Sequence, residues 1–98
     1  MPIVRLIYVT VNRDQASEAE RIWRNECAPL MIQQPGCLSE KLLKCLDAPG
    51  EYISYSEWES QEKIDQYRAS AAHQKIKEHT RTLRGGDRPV VKRYEVGA

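Results

Sequence analysis

Two rhythms of apolar and polar residues run along this chain. Residues 3–11 (Ile-Val-Arg-Leu-Ile-Tyr-Val-Thr-Val) are rich in β-branched and aromatic types, lack Gly and Pro, and predict a strand. Asn12-Arg13-Asp14 then turns the chain, with Asp14 in position to cap a helix. From Gln15 to about Gln34 the rhythm changes: Ala16, Ala19, Ile22, Trp23, Cys27, Leu30 and Met31 fall at helical spacing. Pro29 lies inside that run and predicts a kink or a split. Pro35-Gly36 closes the segment. A second strand is expected over 37–46, a turn at Asp47-Ala48-Pro49-Gly50, and a third strand over 51–58 that forms a hairpin with the second. Ser60 can cap a helix carrying Ile64, Tyr67 and Ala71 on one face, and a further helical piece runs from His73 to Leu83 with Ile76 and Leu83 inward. Gly85-Gly86-Asp87 reads as a loop and Val90 to Val96 as the last strand.

The order βαββαβ is the ferredoxin-like pattern, an α+β fold with four antiparallel strands and helices on one face, here as a single domain over residues 1–98. The first strand adds a constraint. Ile3, Ile7, Val9 and Val11 fall on one of its faces, and Val4, Leu6 and Tyr8 on the other. A sheet with one solvated face alternates apolar with polar, so the second face needs a cover that the helices cannot supply. A second copy of the chain is the simplest cover, and a homodimer is expected.

Composition narrows the partners. Fifteen basic residues face fourteen acidic ones, a net charge of +1, which gives no electrostatic reason to expect nucleic acid or an anionic membrane. Residues 47–65 hold six acidic residues and one basic, and residues 75–93 seven basic and two acidic, which reads most simply as two solvated faces of opposite sign. The 98 residues suffice for one domain, and the mean hydropathy of −0.65 is that of an ordinary globular chain. No apolar run approaches the roughly 18 residues of a membrane span. The first ten residues lack a basic region followed by a small-residue cleavage site. Cys27, Cys37 and Cys45 are odd in number and widely spaced, which suits reduced thiols; a cytoplasmic location is expected.

Motifs of metal and cofactor chemistry are missing. His73 and His79 are six apart, which places them about 120° from each other around a helix rather than on one face. The cysteines are ten and eight apart, with no CxxC, and the chain has no phosphate loop, GxGxxG or GxSxG. A Cys-His nucleophile built from Cys37 or Cys45 with His73 is conceivable, but cysteines in such positions are mostly small buried hydrophobes.

The stretch from Pro35 to His73 carries a recognisable pattern. It runs Pro35-Gly36-Cys37-Leu38-Ser39-Glu40-Lys41-Leu42-Leu43, then Asp47-Ala48-Pro49-Gly50, then Glu57-Trp58-Glu59-Ser60, Tyr67 and Ser70-Ala71-Ala72-His73. This resembles the antibiotic biosynthesis monooxygenase family, marked by a PG before the second strand, a W-x-S ending the third, and a His fifteen residues after that Trp. The resemblance implies a dimeric α+β barrel with a pocket in each subunit between sheet and helices. It also implies oxygenation of a hydroxylated aromatic, such as a quinol or an anthrone, by O₂ without metal, flavin or haem, the substrate supplying the electrons.

On that reading His73 is the candidate base, since an imidazole of ordinary pKa near 6.5 accepts a phenolic proton at neutral pH. Trp58 is the candidate pocket wall and indole donor. Ser54 and Ser56 share the face of Trp58 by strand alternation and are candidates to orient a substrate hydroxyl. Tyr67 and Asn12 complete the candidate lining, although Asn12 reads most simply as a turn residue and Trp23 as core. Two alternatives stay open: a non-catalytic dimeric module that binds a small ligand or serves in a stress response, and a haem-binding or haem-degrading member. The latter look to an Asn early in the first strand and a Trp nine residues after Trp58; here Asn12 ends the strand and that position is Tyr67.

Overall fold

The strand with two apolar faces is central in the sheet. The computed structural model describes residues 1–81 and 89–97. In it β1 (Ile3–Thr10) lies between β3 (Glu51–Trp58) and β4 (Val90–Glu95), and β2 (Cys37–Lys44) flanks β3, giving the order β2-β3-β1-β4. All neighbours are antiparallel. The register pairs Ile3 with Trp58, Arg5 with Ser56, Ile7 with Ser54 and Val9 with Tyr52. Paired residues share a face, so one face of the sheet centre is an alternating set of large and small side chains. The strands end slightly earlier than the sequence predicts, at Thr10, Lys44 and Glu95.

The first helical segment stays helical through Pro29. A 3₁₀ turn (Arg13–Gln15) leads into α1 (Ala16–Ile22), a π-helical turn (Trp23–Cys27) and α2 (Ala28–Ile32). Proline has no N–H to give the carbonyl four residues back, and its ring crowds that carbonyl. The wide turn takes up the misfit: the Ala28 N–H bonds the Trp23 carbonyl, five residues back. The proline thus divides the segment into α1 and α2 with the π turn between them. Asp14 does not act as the cap expected of it. It lies inside the 3₁₀ turn, where the Gln15 N–H donates to the Asn12 carbonyl at 2.9 Å and no side-chain cap forms.

The second helical segment divides at Ser70 into α3 (Gln61–Arg68) and α4 (Ala71–Thr80). Ser60 caps α3 by accepting from the Lys63 N–H at 3.3 Å. The Ser70 hydroxyl donates to the Tyr67 carbonyl at 2.6 Å and accepts from the His73 N–H at 3.2 Å, so one side chain closes α3 and opens α4. Ala71, expected on the face of α3, therefore begins α4 instead. Leu83 and Gly85-Gly86-Asp87 lie outside the described residues.

In the turn before β3, Gly50 has φ +94°, and its carbonyl accepts from the Val11 N–H at 2.8 Å. A Cβ there would lie 2.5 Å from the Val11 oxygen, so only glycine fits.

The core beneath the helices is in two parts. Cys27, Met31, Trp58, Ile64, Tyr67 and Ile76 form one cluster; Val11 and Tyr52, with Val9, Ala16, Ala19 and Leu42 packed on them, form the other. The opposite face of the sheet carries Val4, Leu6, Tyr8, Ile53 and Tyr55, all half-buried, with Val90 and Tyr94 about half exposed. Lys41 and Lys92 place their ammonium groups 5.6 Å from the ring centres of Tyr55 and Tyr8 on this face. No helix among the described residues is long and apolar enough to cross a membrane.

Candidate functional site

The gap between the two core clusters is a cavity of about 300 Å³. Its floor is the helix-facing side of the sheet: Arg5, Ile7, Val9 and Val11 from β1 and the residue after it, Tyr52 and Ser54 from β3, and Leu42 from β2. At a strand rise of about 3.3 Å per residue, Arg5 and Val11 stand roughly 20 Å apart along this floor. Ala19 from α1, Trp23 from the π turn and Met31 from α2 form one wall; Tyr67 and Arg68 from α3 and His73, Ile76, Lys77 and Thr80 from α4 form the other.

The Val11 end is apolar and is closed by Tyr52. Its hydroxyl donates to Glu20 Oε2 at 2.7 Å, and Lys44 Nζ reaches the same carboxylate oxygen at 3.2 Å. Burial and this carboxylate push the Tyr52 phenol up to about 12, so it stays protonated and acts as a tether.

Polar groups gather at the other end. His73 is half-buried, and its Nδ1 lies 3.1 Å from the Arg68 carbonyl oxygen. That contact fixes the neutral tautomer with the proton on Nδ1, leaving Nε2 with a free lone pair. Burial, reinforced by the nearby Arg5 and Lys77 charges, lowers the His73 pKa below its ordinary value. The imidazole is therefore neutral and competent as a base at neutral pH.

Tyr67 is wedged between two rings. It stacks on Trp58 at 5.0 Å between ring centres with 27° between planes, and meets His73 edge to face at 5.0 Å and 72°. Burial pushes its phenol up to about 12.

The cavity thus brings together three of the side chains singled out in the sequence: His73, Tyr67 and Ser54. The other three are elsewhere. Trp58 is fully buried behind Tyr67, and its indole N–H, expected to face a ligand, donates to the Ser56 hydroxyl at 2.9 Å. Ser56, 1% exposed, is held in that bond. Asn12 is exposed in the turn after β1. The thiols take no part in the lining: burial pushes Cys27 and Cys37 up to about 11, which leaves them protonated. His79 is on the surface, 3.9 Å from Glu26.

Arg5, Trp23 and Lys77 were missed. Arg5 had left a trace in the sequence, as the one charged residue among the apolar positions of its strand face. Trp23 reads as core on helical periodicity and does pack against the first core cluster, and it also borders the cavity.

A candidate antibiotic biosynthesis monooxygenase from Bordetella bronchiseptica superposes with TM-score 0.87 at 19% identity, covering 99% of this chain and 98% of that one. One from Caulobacter crescentus gives 0.86 at 18% identity, covering 99% and 91%. One from Nitrosomonas europaea gives 0.84 at 15% identity, covering 96% and 97%. At such identities these likenesses establish the fold. No curated protein matches the sequence significantly. The model of the family described as antibiotic biosynthesis monooxygenase matches residues 2–79, most of the chain from β1 through α4, and on that match the chain belongs to this family.

Proposed function

We propose that the protein is a monooxygenase that oxidises a small hydroxylated aromatic with O₂, with His73 as the base. The observation that carries this reading is the neutral imidazole of His73, its Nδ1 held by the Arg68 carbonyl, in the lining of a cavity sized for one or two aromatic rings.

The substrate ring lies on Ile7, Val9 and Leu42 under Trp23, and its hydroxyl meets Nε2. His73 takes the phenolic proton. The resulting anion is electron-rich enough to pass an electron to O₂; a C–O bond then forms at the ring carbon. For an anthrone-like substrate the ring CH₂ becomes C=O, and the second oxygen leaves as water with the two hydrogens. The electrons come from the substrate itself. The protein's contribution is orientation, proton acceptance and a site with little water. Trp58 belongs to this scheme as the support that fixes Tyr67 rather than as a group touching substrate.

The functional unit is a homodimer. The outer face of the sheet, with Val4, Leu6, Tyr8, Ile53 and Tyr55, packs against its copy to make the α+β barrel of the family.

The test is oxygen uptake with a panel of quinols and anthrones, wild type beside His73→Ala. Protein-dependent uptake, with oxygen inserted into the product and a loss of rate in the variant, is expected. Uptake no faster than the substrate's own autoxidation across the panel overturns the reading.

A further inference from the structure

The polar end of the cavity holds more positive charge than a proton acceptor needs. Arg5 is 6% exposed, on the helix-facing side of the central strand, where its neighbours are Ile3 and Ile7. A guanidinium costs a great deal to bury unless something negative meets it. Among the described residues no salt bridge involves Arg5; the three present join Arg21 to Glu18, Lys44 to Glu20 and His79 to Glu26. Arg68 and Lys77 line the same cavity, and no Asp or Glu does among the described residues. Tyr67, whose phenol feels the Arg5 charge, cannot serve as counter-ion because burial keeps it protonated despite the pull of Arg5. The rest of the lining is apolar or uncharged.

We propose that this cavity binds an aromatic oxyanion and that Arg5 is the residue that holds its negative oxygen. The inference deepens the oxygenase reading: the phenolate formed when His73 takes a proton would be stabilised by Arg5, whose planar fork offers paired N–H donors to one oxygen or to a carboxylate.

The sign of a single shift tests it. An apolar pocket raises the pKa of a phenol placed in it, because burial disfavours the anion; a cation beside the oxygen lowers it. The probe is 4-nitrophenol, whose phenolate is yellow and which O₂ does not attack. With wild-type protein in excess, the midpoint for the yellow form is expected to fall by about one pH unit, a tenfold gain in ionisation constant. In Arg5→Gln the midpoint should rise to or above that of the free phenol, since burial remains and the charge is gone. A raised midpoint or an unperturbed spectrum with wild type overturns the proposal, and so does a lowered midpoint that survives Arg5→Gln. A second readout needs no variant: the Arg5 Nε–Hε resonance of the wild type should move on adding nitrophenolate and stay put with nitrobenzene, and the reverse overturns the assignment. Failure here is separable from failure of the oxygenase reading. A lowered midpoint without oxygen uptake keeps Arg5 and removes the reaction; uptake with a raised midpoint keeps the reaction and removes Arg5.

Discussion

The Tyr67 and His73 rings meet edge to face with centres 5.0 Å apart while Tyr67 stacks on Trp58, so the imidazole leans on a column of aromatic side chains rooted in the core. Together with the Nδ1 contact to the Arg68 carbonyl, this leaves the ring little freedom to turn, and Nε2 stays directed at one place. The proposed chemistry depends on that fixed lone pair.

The acid limb of the pH profile follows from it. The base form of His73 is required, and burial with the Arg5 and Lys77 charges lowers its pKa. Activity should therefore persist as pH falls through about 6.5, the ordinary imidazole value, and decline only below it. Lys77→Gln removes one of the charges and should move the limb upward. His73→Ala should cost about 10²–10⁴ in kcat/KM, the range for loss of a general base. Oxygen-electrode rates across pH with one quinol check all three.

The Trp58–Ser56 bond is a stability element. Ser56→Ala leaves a fully buried indole N–H without an acceptor, which should cost about 1–3 kcal/mol. In a Trp58→Phe background the same change should cost much less, because no donor remains to be orphaned. Urea unfolding of the two single variants and the double variant closes the cycle.

Fold and site differ in how far the sequence disclosed them, and Trp58 shows why. Strand alternation places it correctly on the helix-facing side of β3, with Ser54 and Ser56, and the hairpin, the Ser60 cap and the order of elements along the chain follow from short-range patterns. Whether a residue on that face lies under core or under cavity depends on which helix side chains meet it, and no periodicity records that. Ser54 and Ser56 are two residues apart on one face, yet one lines the cavity and the other bonds an indole. Trp23, which reads as core, does pack against the first core cluster, and helical spacing does not record that it also borders the cavity. Arg5 was legible as an anomaly in its strand but carried meaning only once the cavity lay beside it.

Glu40 offers a test of pH-dependent stability. Burial raises its carboxyl above the ordinary value, and Oε2 has no hydrogen-bond partner among the described residues. A carboxyl whose folded pKa is raised favours folding most when protonated, and the advantage is lost as pH rises through that pKa. Glu40→Gln should therefore raise the urea midpoint at neutral pH, and the gain should vanish below about pH 4, where glutamate is protonated in both folded and unfolded chains. An equal gain at both pH values would mean that charge is not the cause.

The proposed dimer can be broken from the outer face. Leu6→Glu places a carboxylate among Val4, Tyr8, Ile53 and Tyr55 without touching the cavity side of β1. Light scattering should give twice 11.3 kDa for the wild type and 11.3 kDa for the variant, with circular dichroism unchanged. A wild type that scatters as a single chain removes the dimer.

The π turn from Trp23 to Cys27 holds one residue more than an α-helical turn needs, and the surplus is absorbed where it stands. Removing the exposed Asn25 would let the segment close into an ordinary α-helix, and four such residues turn the chain by about 400°, close to what the five residues of the wider turn cover. Ala19, Trp23 and Met31 would still face the cavity, but Pro29 would again stand over a carbonyl four residues back that it cannot bond. One surplus residue in a backbone turn thus accommodates the proline without changing which side chains make that wall.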